Sequence, residues 1–187
     1  VSEFSQGFAI AQPPAADYRS NTRMSSVLVS ARGEDRIRHG HPWIYQSDIR
    51  QADAAPGAIV RVLGPGKRML GSALFSDRSQ ITLRMLTVGD EVADGALLKA
   101  RIERAVEYRA RLELDATAYR LVHGEADLLP SLVIDRYGDY AVVQALSQGM
   151  DALVPEVVAA LQELLAPAGI LARHDPKVRL LEGLEQH

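Results

Sequence analysis

Apolar and polar positions alternate in short bursts through the first half of the chain and settle into a longer period in the second. Val27-Leu28-Val29 reads as a first strand, and His41-Pro42-Trp43-Ile44-Tyr45 as a second, rich in aromatic and β-branched residues. Gly57 leads into Ala58-Ile59-Val60-Arg61-Val62-Leu63, and Gly64-Pro65-Gly66 turns the chain back into Met69–Leu74, the pattern of a hairpin. Ile81–Leu86 alternates as a further strand. Short, closely spaced, turn-separated strands across 27–86 predict a small barrel. From Gly95 to Leu112 the period becomes helical, with Leu98, Ile102, Ala105, Val106 and Arg109 on one side. Tyr119–Val122, Leu132–Ile134 and Tyr140–Ala145 read as strands, the last two joined through Arg136-Tyr137-Gly138-Asp139. Ala152–Leu165 is a second helix closed by Pro167 and Gly169, and Ile170-Leu171-Ala172 is one more short strand. The chain is thus expected to be α+β. A flexible leader at 1–23, with Met24 as a natural start, precedes a β-rich unit at 24–93 and an α/β unit at 94–187.

Apolar residues make up 47% and charged residues 24% of the 187, enough for a packed core and far from a disordered composition. No apolar run approaches the roughly 18 residues that a membrane span needs, and no basic flank leads into an apolar segment as in a signal peptide. There is no cysteine, which excludes disulfides, thiolate metal sites, cysteine nucleophiles and iron–sulfur clusters, and fits a reducing, cytoplasmic setting. The net charge of −3 is uneven: 24–93 carries nine basic and seven acidic groups, a net of +2, and 94–187 ten basic and fifteen acidic, a net of −5. Of the 21 basic residues only three are lysines, Lys67, Lys99 and Lys177. Arginine suits bidentate phosphate contacts and stacking on bases, but a GC-rich coding sequence gives the same bias.

The residues offer no complete active site. Gly64-Pro65-Gly66-Lys67-Arg68 lacks the spacing and the following Ser or Thr of a phosphate loop and fits a hairpin tip. The histidines at 39, 41, 123, 174 and 187 show no metal-ligand spacing, and neither a nucleophile elbow nor a dinucleotide loop is present. Neither a catalytic residue nor a metal site is therefore expected. Two basic groupings remain. Arg32, Arg36, Arg38, His39 and His41 immediately precede Trp43 and Tyr45, a pairing of phosphate-neutralising and base-stacking groups that suits RNA. A solvated loop beside a core tryptophan, offset by Glu34 and Asp35, accounts for the same residues. Arg101, Arg104, Tyr108 and Arg111 fall along one helix stripe as a second candidate RNA surface, although Glu107 and Arg111 also make an ordinary i,i+4 surface pair. His123, Glu125, Asp127 and Asp135 cluster around a hairpin, where such groups act as general acids and bases or, more commonly, cap turns.

His123-Gly124-Glu125-Ala126-Asp127, then Leu129-Pro130, then Val133-Ile134-Asp135-Arg136-Tyr137-Gly138-Asp139-Tyr140 resemble the central domain of bacterial ribosomal RNA large-subunit cytosine-5 methyltransferases, which use S-adenosylmethionine. Arg38–Tyr45, 57–63 and Ser79–Arg84 resemble that family's PUA domain, a small RNA-binding pseudo-barrel, and Leu181-Glu182-Gly183-Leu184 resembles the approach to its catalytic domain. The resemblance implies a PUA-type β pseudo-barrel followed by an α/β linking domain, with ribosomal RNA as partner, a homodimer as one assembly and no membrane. It also implies a Rossmann-like methyltransferase domain after residue 187, so S-adenosylmethionine is expected for the full-length protein and no cofactor in this chain. Asp175-Pro176-Lys177 echoes an active-site Asp-Pro-Pro but lacks the second proline. Without cysteine, covalent attack on pyrimidine C6 is closed to this chain, which alone is expected to be inactive. Leu128 and Ser131 stand where the family favours glycine, so the turn after Asp127 is expected to differ in backbone conformation. A stand-alone RNA-binding module or adaptor is the alternative, and a protein-interaction module a third reading, since a unit of net charge −5 repels phosphate.

Overall fold

The computed structural model describes residues 25–91 and 93–186, so the expected leader and the start at Met24 lie outside the described residues. The β-rich unit consists of β1 (Ser26–Val29), α1 (Ala31–Arg38), β2 (Trp43–Tyr45), β3 (Ile49–Asp53), β4 (Ile59–Leu63), β5 (Met69–Phe75) and β6 (Ile81–Met85). Its strands form one sheet in the order β2-β6-β5-β4-β1-β3 that curls into a half-barrel. β1 runs parallel to β4, and every other neighbouring pair is antiparallel. Val27, Val29, Ile37, Ile44, Val62 and Leu83 meet in the hollow of the curl and are nearly or fully out of water.

Two elements depart from the hydrophobic pattern. The basic segment is no loop: it forms helix α1, whose N-terminus is capped by Ser30 Oγ accepting the Gly33 amide at 3.1 Å. Only Gly33 and Ile37 of α1 are buried, so there is no apolar period to announce the helix. β3 is likewise silent, because it lies at the sheet edge with only Ile49 shielded, and its pairing with β1 supplies the order that its side chains do not.

The second unit has α2 (Gly95–Arg111), β7 (Ala118–His123), β8 (Leu132–Tyr137), β9 (Tyr140–Ala145), α3 (Gln148–Ala152), α4 (Val154–Leu165), β10 (Gly169–Ala172) and α5 (Val178–Leu181). The single helix expected over Ala152–Leu165 begins earlier and breaks at Leu153, with Pro155 in the first turn of α4, where its missing N–H costs nothing. The sheet order is β10-β9-β8-β7, with β10 parallel to β9 after the α4 crossover. Leu98, Ile102 and Ala105 of α2 and Val157 and Leu161 of α4 cover one face of this sheet.

The two cores touch through β5, a central strand buried on both faces. Phe75 and Ala73 point into the half-barrel, whereas Leu74 joins the second core. Gly149 lets α3 lie against Leu74, since a Cβ there would come within 2.6 Å of the leucine Cβ. A buried ion pair completes the seam. Glu182, just past α5, accepts Arg84 Nη2 at 2.8 Å and Ser76 Oγ at 2.6 Å, and the two charged side chains are 1% and 6% exposed. Removing one partner leaves a buried charge uncompensated, whereas replacing both by apolar groups does not. Arg84→Met is therefore expected to cost about 3–5 kcal/mol in urea unfolding. Adding Glu182→Leu should recover part of that loss, short of all because Ser76 also loses its acceptor. An equal loss in single and double variants would refute the pairing.

Candidate nucleic-acid interface

Helix α1 and strand β2 bring together most of the first basic grouping. Trp43 and Tyr45 point to one side of β2 while Ile44 enters the core on the other, as the two-residue period of a strand requires. His41 lies between the two aromatic residues, 6.1 Å from each ring, and its Nδ1 accepts the Trp43 amide at 3.1 Å. The Arg36 guanidinium sits over the Tyr45 ring, 5.1 Å from its centroid.

The arginines are held from behind by a carboxylate that the sequence pattern does not single out. Asp48 is fully buried, and its two oxygens take Arg32 Nε at 2.6 Å and Arg36 Nε at 3.1 Å. Burial acts to raise the Asp48 carboxyl, but the hydrogen bond and charge of Arg32, with Ser30 and Arg36, outweigh it and hold it below the usual carboxylate value. Arg32 also donates from Nη2 to Ser47 Oγ at 2.9 Å. Arg38 pairs with Glu34 at 2.5 Å, and Arg68 from the β4–β5 turn reaches the same oxygen at 2.8 Å. His39 caps the C-terminus of α1 and turns its Nδ1 to the Asp35 carbonyl at 2.8 Å. The grouping is thus a fixed set of guanidinium planes beside two aromatic rings. Asp48, Glu34 and Arg68 belong to it, and only their places in the fold reveal it.

The stripe expected on α2 does not survive as one surface. Arg101 is buried and donates to the carbonyls of Leu86 and Leu128, each at 2.6 Å, which fastens α2 to the seam. Arg104 and Tyr108 remain exposed, and Arg111 makes the i,i+4 contact with Glu107 at 3.4 Å. The neighbour that matters is Arg109. Its two Nη atoms grip both oxygens of Asp127 at 2.5 and 2.8 Å.

His123, Glu125 and Asp127 take part in a hydrogen-bonded turn. Asp127 also accepts the His123 amide at 2.6 Å, and Glu125 accepts Trp43 Nε1 at 2.8 Å, a direct link between β2 and the second unit. Asp135 takes the Arg120 fork at 2.8 and 3.2 Å, and Arg136 donates to the Gly138 carbonyl at 2.8 Å. Leu128 and Ser131 have φ of 58° and 61°, the left-handed region that glycine enters freely. The turn keeps that shape because Arg101 holds the Leu128 carbonyl, and Ser131 contacts Ser147 Oγ at 2.5 Å. Among the described residues no group of three His, Cys, Asp or Glu side chains could hold a metal ion, and no helix is long and apolar enough to cross a membrane.

Burial acts to raise the Asp127 carboxyl, but the Arg109 fork and the His123 amide pull it below the usual 3.8. A depressed folded-state value means that the carboxylate stabilises the fold fully above the unfolded value, and that this contribution is lost as pH falls through the folded one. Asp127→Asn should therefore lower unfolding free energy by about 1.5–3 kcal/mol at neutral pH, with the gap to wild type closing below about pH 4. A gap that stays constant down to pH 2.5 in denaturant titrations would contradict the assignment.

The PUA-like domain family matches residues 27–88, the span of the half-barrel strands. Ribosomal RNA large subunit methyltransferase I of Cronobacter sakazakii is 36% identical over 170 residues, covering 87% of this chain and 42% of that protein. The protein of the same name from Klebsiella pneumoniae is 35% identical over 164 residues, covering 84% and 41%. A solved structure described as a candidate SAM-dependent methyltransferase from Streptococcus mutans superposes with a TM-score of 0.70 at 18% identity, over 80% of this chain and 40% of that one. Another, of a candidate methyltransferase complexed with SAH, has a TM-score of 0.71. The chain spans about two fifths of the length of the curated relatives it matches. It carries a PUA-like domain and is homologous, over most of its own length, to ribosomal RNA large subunit methyltransferase I.

Proposed function

We propose that these residues are the RNA-holding portion of a ribosomal RNA methyltransferase that acts at cytosine C5. The α1–β2 surface would grip the RNA and the second unit would orient the target base. One observation carries the reading: Arg32, Arg36 and Arg38 are oriented by carboxylates beside Trp43 and Tyr45, and Trp43 is tied directly to Glu125 of the second unit. Guanidinium planes fixed in this way meet phosphate oxygens without first being ordered, and the neighbouring rings offer faces to unpaired bases. The hydrogen bond from Trp43 to Glu125 would transmit the position of bound RNA from the half-barrel to the second unit.

Methyl transfer is proposed for a part of the protein outside these 187 residues. S-adenosylmethionine would supply the methyl group there. The junctions leading into α1, α2, α3 and α5 carry no glycine-rich turn aimed at a helix N-terminus, so the described residues do not fit that cofactor. Calorimetry of this chain with S-adenosylmethionine should show no micromolar binding. A stoichiometric heat would place a cofactor site within it.

The grip itself is testable by salt. Each phosphate contact contributes about 0.7–0.9 to the slope of log K against log salt. Replacing Arg36 and Arg38 together by Ala, with Arg32 left to hold Asp48, should weaken binding of a large-subunit ribosomal RNA hairpin and lower that slope by about 1.4–1.8. Unchanged affinity and slope in a folded double variant would refute the α1 surface as the grip.

A further inference from the structure

The second sheet has one face under α2 and α4 and another that is shielded at Gln144, 8% exposed, and opens toward the β8–β9 turn. On that open face Tyr137 and Tyr140 are direct partners across the β8–β9 hairpin, 52% and 60% exposed. Neither ring belongs to a core, so exposing both gains the fold nothing. Tyr140 lies over Gly169 of β10, where a Cβ would come within 3.2 Å of the ring, so the strand surface below it is flat.

Two arginines flank the tyrosines. Arg120 gives its Nε and Nη2 to Asp135, and Arg173, just past β10, gives the same two atoms to Asp175 at 2.8 and 3.2 Å. Each carboxylate locks a guanidinium plane and leaves the Nη1 edge turned away from it. The Arg120 edge lies 3.3 Å from His123 Nδ1, and Arg173 is near enough to Asp135 to feel its charge. An open hollow of about 620 Å³ runs beside Tyr137, lined by Arg109, Tyr119, Arg120, His123 and Asp135 among others.

We propose that this face binds a short unpaired RNA segment, with neighbouring bases stacked on Tyr137 and Tyr140 and the strand steered by Arg120 and Arg173. The inference rests on the RNA-binding reading above and adds a second, chemically different contact. The patch is close to neutral, because Asp135 and Asp175 offset the two guanidiniums. Stacking rather than counterion release must then carry the affinity, and a duplex, whose bases are already stacked, gains nothing here.

The test is fluorescence anisotropy of the 187-residue chain with a labelled single-stranded RNA decamer of mixed sequence and with the same decamer in a perfect duplex. Tyr137→Ala with Tyr140→Ala should weaken single-strand binding about tenfold or more, leave duplex binding unchanged and leave the salt slope unchanged. Tyr137→Phe with Tyr140→Phe keeps the rings and should bind like wild type. Unchanged single-strand affinity in the alanine pair would overturn the proposal, as would phenylalanine variants as weak as alanine, or an equal loss on duplex. If the alanine pair instead abolishes self-association in sedimentation while RNA affinity holds, the face is a protein contact and the proposal falls. Loss of duplex binding in the Arg36–Arg38 variant, with the tyrosine variants inert, would sink only this inference. Failure of the wild-type chain to bind either RNA would sink the RNA-binding reading with it.

Discussion

A carboxylate taken out of water must be met by a cation and by further donors, or the fold cannot keep it charged. Glu182 meets that condition with Arg84, the Ser76 hydroxyl and the backbone amide of Gln148, drawn from three separate segments. Because each donor comes from a different part of the chain, satisfying one carboxylate fixes β6, the turn after β5, and the start of α3 against the segment after α5. The relation of the half-barrel to the second unit follows from it, together with Leu74 packing under Gly149. Arg179 reinforces the arrangement from the other side through the Ala145 carbonyl and Asp151.

The same device recurs at several other arginines. Asp48 anchors Arg32 and Arg36, Asp127 anchors Arg109, and Asp135 anchors Arg120. Lysine, a point charge on a flexible stem, could not be oriented in this way, whereas the planar guanidinium can bond with one edge and offer another. The arginine excess of the sequence thus has a structural use even where its origin lies in codon composition. The acidic balance of the second unit has the same explanation in part, since several of its carboxylates face inward onto arginines rather than outward toward a ligand.

The candidate contacts divide by physical character. At α1–β2, three arginines are gathered with rings at their edge, a surface suited to phosphates. On the open sheet face the cations are balanced and the rings are bare, a surface suited to bases. The turn at Glu125–Ser131 lies between the two units, held by Trp43 of β2 and by Arg101 and Arg109 of α2. Two left-handed residues that are not glycine are tolerated there because these bonds fix the backbone on both sides.

The sequence by itself determined five of the six strands of the half-barrel, the amphipathic α2, the hairpin of β8 and β9, and the resemblance carried by 123–140. Each of these rests on side-chain periodicity or on local turn chemistry, both written in adjacent residues. It also brought Arg32–His41 and Trp43 to notice, because charge and aromatic character are properties of single residues. It did not disclose α1, whose order comes from a Ser30 cap and one buried isoleucine, or β3, ordered by its partner strand. Nor could it separate Arg101 from Arg104, three residues apart, since what distinguishes them is the Leu86 and Leu128 carbonyls that only the folded chain brings to α2. The ion pairs Arg84–Glu182 and Arg109–Asp127 span 98 and 18 residues, and which side of the second sheet stayed bare was settled by where α2 and α4 packed. Such facts belong to the tertiary structure because each depends on a neighbour distant in sequence, and no local pattern encodes which neighbour that is.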